Sequence, residues 1–170
     1  MNTLAWVMMA RVLTVAPDGF VSEHVIDFKA TPEVVYSALT QDVGSWWDAT
    51  HSYTGEAANF SLDARPQGCF CEHFPDGSGV EHMRVVHARP GELLRMTGGL
   101  GPLQAMPVTG VMEFQLEATR KGTRLTYRYT VAGNASAGLD ALAAPVDAVQ
   151  LGQLKRLLNY VEGKPATDAN

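Results

Sequence analysis

The chain reads as a two-layer α+β domain, and three features of its 170 residues lead there. Short runs of alternating character, separated by turn-forming residues, fill residues 59 to 131 and predict sequential antiparallel hairpins. A long stretch from Gly138 to about Val161 follows, with Leu139, Leu142, Val146, Val149, Leu154, Leu157, Leu158 and Val161 close to helical spacing. One further strand and a well-signalled helix come before the hairpins. An antiparallel sheet with one polar face must cover its other face, and the apolar stripe of the last helix is the natural cover.

Each element has its own local reason. Leu4 to Ala10 is apolar, but no Lys or Arg precedes it and Arg11 interrupts it. A first strand or a frayed end therefore suits residues 1–17 better than a secretory signal. Pro17-Asp-Gly19 marks a turn, and Phe20 to Phe28 reads as a strand. Thr31-Pro32-Glu33 then opens a helix to about Thr40, because Thr caps well and Pro is tolerated at the first helical position. A short second turn carries Trp46 and Trp47. Strands are expected near Asn59 to Ala64, Gly68 to Phe74, Val80 to Ala88, Leu93 to Thr97, Val108 to Leu116 and Thr123 to Val131. Arg65-Pro-Gln-Gly68, Pro75-Asp-Gly-Ser-Gly79, Arg89-Pro-Gly91 and Arg120-Lys-Gly122 divide them. Pro145 either kinks the final helix or marks its true start. With no repeat or linker, residues 18–162 form one domain, and 163–170 are expected to be a disordered tail.

Composition narrows the function. The chain is 46% hydrophobic and 18% charged, as in globular proteins, and 13 basic against 18 acidic residues give a net charge of -5. The basic footprint of nucleic-acid binding is missing, so no such partner is expected. No run approaches the ~20 apolar residues that cross a bilayer. Cys69 and Cys71 are the only cysteines. On an extended strand they share a face two residue rises apart, too far for a disulfide, so free thiols in a reducing cytoplasm are expected, with a secreted or periplasmic location as the alternative.

The tryptophan pair is the richest stretch. Two of the three tryptophans lie side by side, with His51 and Tyr53 close behind, mixing large apolar rings with hydrogen-bonding tips. Neighbouring residues cannot point the same way, so one indole is expected in the core and the other at a cavity or its rim.

The order strand, paired short helices, six strands and long C-terminal helix resembles the helix-grip fold of the START and birch-allergen superfamily. Thr31 to Thr40, Trp46-Trp47, Gly68 to Glu72, Gly122-Thr-Arg-Leu-Thr126 and Leu154-Lys-Arg-Leu-Leu158 are similar to the bacterial SRPBCC branch, which includes relatives of the Aha-type chaperone ATPase activators. This resemblance covers residues 18 to 162. It implies a curved seven-stranded antiparallel sheet gripping the last helix around a hydrophobic cavity. No reaction is implied, since the fold hosts carriers, cyclases, oxygenase subunits and co-chaperones.

Several residues are candidates for chemistry in such a cavity. Cys69, Cys71 and His73 share a strand face, but neighbours ~6 to 7 Å apart cannot converge on one zinc ion, so no metal is expected. If Phe74 pairs with Val80, Glu72 falls opposite His82 and Phe70 opposite Arg84, all on one face. On the cavity side these residues form a polar anchor, with Glu72 orienting His82. On the solvent side they are an ordinary ion pair, and a slip of one residue reverses the choice. His51 and Tyr53 either join this network or serve as a turn histidine and a core tyrosine. His24 and His87 have no evident partner. Gly98 to Val108 reads as an apolar loop, either a plain connection or a lid in which Leu100, Leu103 and Met106 touch a ligand.

Binding of a small hydrophobic or amphipathic molecule asks for the fewest coincidences, without a cofactor and in a monomer or homodimer. A cyclase- or hydrolase-type enzyme using His82 with Glu72, or His51, as base is the second reading. A chaperone partner is the third, and it needs an exposed docking face that the sequence does not locate.

Overall fold

In the computed structural model, which describes residues 9–165, eight strands form one antiparallel sheet. These are β1 (Met9–Ala16), β2 (Gly19–Phe28), β3 (Phe60–Leu62), β4 (Cys69–His73), β5 (Gly79–Arg89), β6 (Leu93–Thr97), β7 (Val108–Thr119) and β8 (Gly122–Gly133). They lie in the order β1-β2-β8-β7-β6-β5-β4-β3. After β2 the chain crosses to the far edge through helices α1 (Pro32–Gln41) and α2 (Val43–Trp46). It then returns hairpin by hairpin until β8 lies beside β2, and α3 (Leu139–Val161) packs on the sheet.

The core follows the two-residue period of the strands. Phe20, Ser22, His24, Ile26 and Phe28 are buried on β2, as are Thr123, Leu125, Tyr127, Tyr129 and Val131 on β8. Leu139, Ala143, Leu154 and Leu157 of α3 are buried with them. Each buried aliphatic side chain contributes ~1.5 to 3 kcal/mol, so this stripe holds the helix to the sheet.

Three expectations are corrected, and one alternative is decided. The sheet has eight strands, not seven, because the turn at Pro17-Asp-Gly19 closes a hairpin in which Ala16 pairs with Gly19 and Met9 with Val25. Met9–Ala16 of the N-terminal segment thus form a true strand, while 1–8 lie outside the described residues, as do 166–170 of the expected tail. Pro145 is inside α3, which begins at Leu139. The β4–β5 register also differs: Glu72 pairs with Val80 and Phe70 with Met83. Phe74 is in the turn, where its N–H donates to the Ser78 carbonyl at 2.8 Å. His82 is the extra residue of a bulge, so it and Met83 both turn inward.

The third correction concerns the thiols. Cys69 and Cys71 form a disulfide. Their Cα atoms are 5.4 Å apart, closer than regular strand geometry allows, at the place where the bulge opposite increases the local coiling. The argument from free thiols to a reducing compartment therefore falls. Among the described residues no helix is long and apolar enough to cross a membrane.

Candidate ligand-binding site

A cavity of about 460 Å³ opens between α3 and the sheet. One wall is the segment after α2, from Trp47 to Tyr53; a second is Leu100 to Pro102; the third is α3, through Leu142, Pro145, Val146 and Val149. Phe60 and His82 form the floor against the sheet.

The tryptophans divide because Trp46 ends α2 and Trp47 is the extended residue after it. Trp46 Nε1 donates to the Ala38 carbonyl of α1 at 2.9 Å, and its ring belongs to the core. Trp47 lines the cavity, is buried to 7% exposure, and donates from Nε1 to the His51 carbonyl at 3.1 Å. Its ring packs on Phe60 and Phe70 at centroid distances of 5.3 and 5.2 Å. The backbone joins in: Asp48 N donates to Gln153 Oε1 at 2.9 Å, and Arg156 Nε donates to the Trp46 carbonyl at 2.9 Å. The indole pair therefore ties α1, α3 and the cavity wall together.

Glu72 and His82 meet, although not as a cross-strand pair. His82 Nε2 lies 3.2 Å from Glu72 Oε2, brought there by the bulge. Glu72 is fully buried and accepts three more hydrogen bonds, from Ser52 Oγ at 2.7 Å, Tyr53 N at 3.1 Å and Thr54 N at 2.7 Å. Burial opposes its ionisation, but the donors from Ser52, Thr54 and Tyr53 prevail and bring its pKa down to about 2. An ionised Glu72 only accepts, so Nε2 of His82 carries a proton. For His82 burial is the larger influence and lowers the pKa, against the raising effect of Glu72. The imidazole is stacked between Tyr53 and Phe60 at 5.8 and 5.2 Å, and its Nδ1 is buried without a hydrogen-bond partner.

Tyr53 is 57% exposed and reaches across the mouth, its hydroxyl donating to the Gly101 carbonyl at 3.3 Å. Gly101 has φ of +58°, a conformation that costs glycine little. His51 lines the cavity beside it.

The remaining expected site residues lie elsewhere. Arg84 points outward, ion-paired with Glu81 and donating to the Gln67 carbonyl at 2.9 Å. It pairs with Cys69, not Phe70, which turns it away from the Glu72 face. Phe70 backs Trp47 inside the core, away from the cavity lining. Leu103 is fully buried and Met106 packs on the core, so the loop presents Leu100, Gly101 and Pro102 to the cavity instead. The α3 wall escaped the sequence reading as a binding surface. Its residues at 142, 146 and 149 carry the same helical spacing as the buried stripe, and only their partial exposure separates them.

A second buried polar cluster gives His24 the partner it lacked in sequence. Ser22 Oγ donates to Asp147 Oδ1 at 2.5 Å, and His24 Nε2 lies 3.0 Å from the same oxygen. Ser22 and Asp147 both address Nε2, whereas a nucleophile relay needs them on opposite ring nitrogens. The cluster instead ties α3 to β2. Among the described residues no group of three or more His, Cys, Asp or Glu is placed to hold a metal.

Comparison with known proteins resolves the family. The model for Activator of Hsp90 ATPase homolog 1-like protein matches residues 29–159, well over half of the chain. The chain belongs to this family. Activator of Hsp90 ATPase homolog 1-like members are of the SRPBCC type anticipated from the element order. The helix-grip fold is shared by a Rhodobacter sphaeroides protein at 20% identity and TM-score 0.62, covering 91% of this chain and 99% of that one. A Rhizobium leguminosarum protein, at 17% identity and TM-score 0.63, covers 93% and 99%. CalU16 of Micromonospora echinospora, at 14% identity and TM-score 0.56, covers 96% and 87%. No curated protein matches the chain significantly. For this Activator of Hsp90 ATPase homolog 1-like chain the structural likenesses establish the fold; the site rests on its own geometry.

Proposed function

We propose that the protein binds a small hydrophobic or amphipathic molecule in the cavity between α3 and the sheet. The observation that carries this reading is the cavity itself: about 460 Å³, walled by Trp47, Phe60, Leu100, Leu142, Val146 and Val149, with few polar groups. That volume and lining suit a small organic ligand. Glu72 supports the reading by its buried role as an orienter of His82. With its pKa at about 2 it is ionised and only a weak base near neutral pH, so in the enzyme reading the base of the pair is the His82 imidazole and Glu72 its orienter. The family description refers to activation of the Hsp90 ATPase. A concave apolar cavity of this size supports a ligand site more than a docking face, and so favours the small molecule.

The test uses the indole in the wall. Titrating naphthalene-sized aromatics and medium-chain aliphatics should change tryptophan emission saturably, and Val146→Trp, which fills the cavity, should abolish the change. Unaltered emission across the panel from folded protein, with no heat of binding, refutes the proposal.

A further inference from the structure

We infer that the cavity selects an uncharged apolar molecule bearing a hydrogen-bond donor, such as a phenol or an alcohol, and that the donor meets Nδ1 of His82. This rests on the cavity-binding reading and specifies its ligand. Three observations carry it. First, Nε2 of His82 faces a carboxylate oxygen at 3.2 Å that already accepts from Tyr53 N. Placing the lone pair of Nε2 against that oxygen would be repulsive, so the ring proton sits on Nε2 and the neutral ring has a bare acceptor at Nδ1. Second, Nδ1 is buried and unpartnered, in a ring that is only 3% exposed and lines the cavity. An unsatisfied buried polar atom is costly, and a ligand hydroxyl that reaches Nδ1 as the Tyr53 ring, stacked on the imidazole at 5.8 Å, swings aside removes that cost. Third, the lining contains no Lys or Arg, so the wall offers no permanent positive charge to an anionic head group. Burial holds the imidazole toward its neutral form, which keeps Nδ1 an acceptor at neutral pH.

The consequence is a discrimination between molecules of one shape. 2-Naphthol donates, 2-methoxynaphthalene keeps the ring system but cannot donate, and 2-naphthoate brings a carboxylate to the acceptor. Calorimetric titration at neutral pH should find 2-naphthol bound about ten-fold more tightly than the ether, a difference of ~1.4 kcal/mol, with 2-naphthoate weakest. His82→Phe keeps a ring between Tyr53 and Phe60 but removes the acceptor, and it should bring naphthol and ether within about two-fold of each other. Long-range nitrogen NMR on the unaltered protein should show a proton on Nε2 and none on Nδ1, a readout that does not require the variant to fold. Equal binding of naphthol and ether, tightest binding of naphthoate, or a proton found on Nδ1 overturns the donor inference and leaves the cavity reading standing. Failure of all three probes to bind overturns the cavity reading and this inference with it.

Discussion

Replacing Glu72 by Gln tests whether one buried carboxylate holds the cavity wall. Each oxygen accepts two hydrogen bonds: Ser52 Oγ and Thr54 N on Oε1, Tyr53 N and His82 Nε2 on Oε2. A glutamine amide has one acceptor end and one donor end. Whichever way it lies, its NH2 group opposes a backbone N–H, either that of Thr54 or that of Tyr53. Ser52 can rotate its hydroxyl and His82 can shift its proton, but a backbone amide can do neither. One buried N–H left unpaired costs ~1 to 3 kcal/mol. The lowering of the carboxyl pKa from 4.5 to about 2 gives a similar figure, ~3 kcal/mol at 1.36 kcal/mol per pH unit.

The pH dependence gives the sign. The folded pKa is depressed, so the unfolded chain takes up the proton first as the medium is acidified. The stabilisation is complete above pH 4.5 and is lost as pH falls toward 2. Urea unfolding followed by circular dichroism should therefore show Glu72→Gln less stable by ~3 kcal/mol at pH 6, with the gap closing below pH 4.5. Hydrogen exchange at Tyr53 and Thr54 should quicken in the variant. A gap below ~0.5 kcal/mol at pH 6, or one that stays constant down to pH 3, refutes the reasoning.

Two other expectations concern the frame around the cavity. A Cβ on Gly110 would lie 2.5 Å from the Tyr129 ring and 2.7 Å from the Gly98 carbonyl oxygen; Gly110→Ala should cost ~1 to 3 kcal/mol by thermal unfolding, and an unchanged melting temperature would show that the ring yields freely. Burial lowers the pKa of both His24 and His82, against the raising effects of Asp147 and Glu72, so the unfolded chain binds protons first as pH falls below 6.5. The urea midpoint should then drop from pH 7 to pH 5, and His24→Phe should flatten part of that slope; a flat profile in the unaltered protein counts against it.

The strands and the final helix were legible because their signals are local. Alternation on β7 and β8, the turn residues between hairpins and the helical spacing from Leu139 to Val161 are all read within a few residues of each other. The register of β4 on β5 was not legible. It depends on the turn closing at Phe74 and Ser78, and on a bulge that no periodicity announces. The register differs by two residues at Glu72 and, past the bulge, by one at Phe70, which put Arg84 in the network and hid the reason His82 faces inward. The same departure from regular strand geometry let Cys69 reach Cys71. Contacts such as Ser22 with Asp147, 125 residues apart, leave no trace that a single sequence can show.

The walls of the cavity are held by groups that do not depend on a ligand. The Trp47 to Tyr53 wall is fixed from one side by Trp47 Nε1 on the His51 carbonyl and from the other by Glu72 on Ser52, Tyr53 and Thr54. The opposing wall is fixed by Tyr129, whose hydroxyl accepts from Leu100 N at 3.2 Å and donates to the Gly98 carbonyl at 3.3 Å. Both anchors are buried polar groups of the sheet, which are costly to break. By contrast, Tyr53 to Gly101 is a single exposed hydrogen bond across the mouth, worth little in water. Opening is therefore cheapest at Tyr53, which also covers one face of His82. If the cavity binds a ligand as proposed, one weak link at the mouth of a preformed site keeps the ordering cost small, so affinity should reside in the floor around His82 and access in the ring of Tyr53.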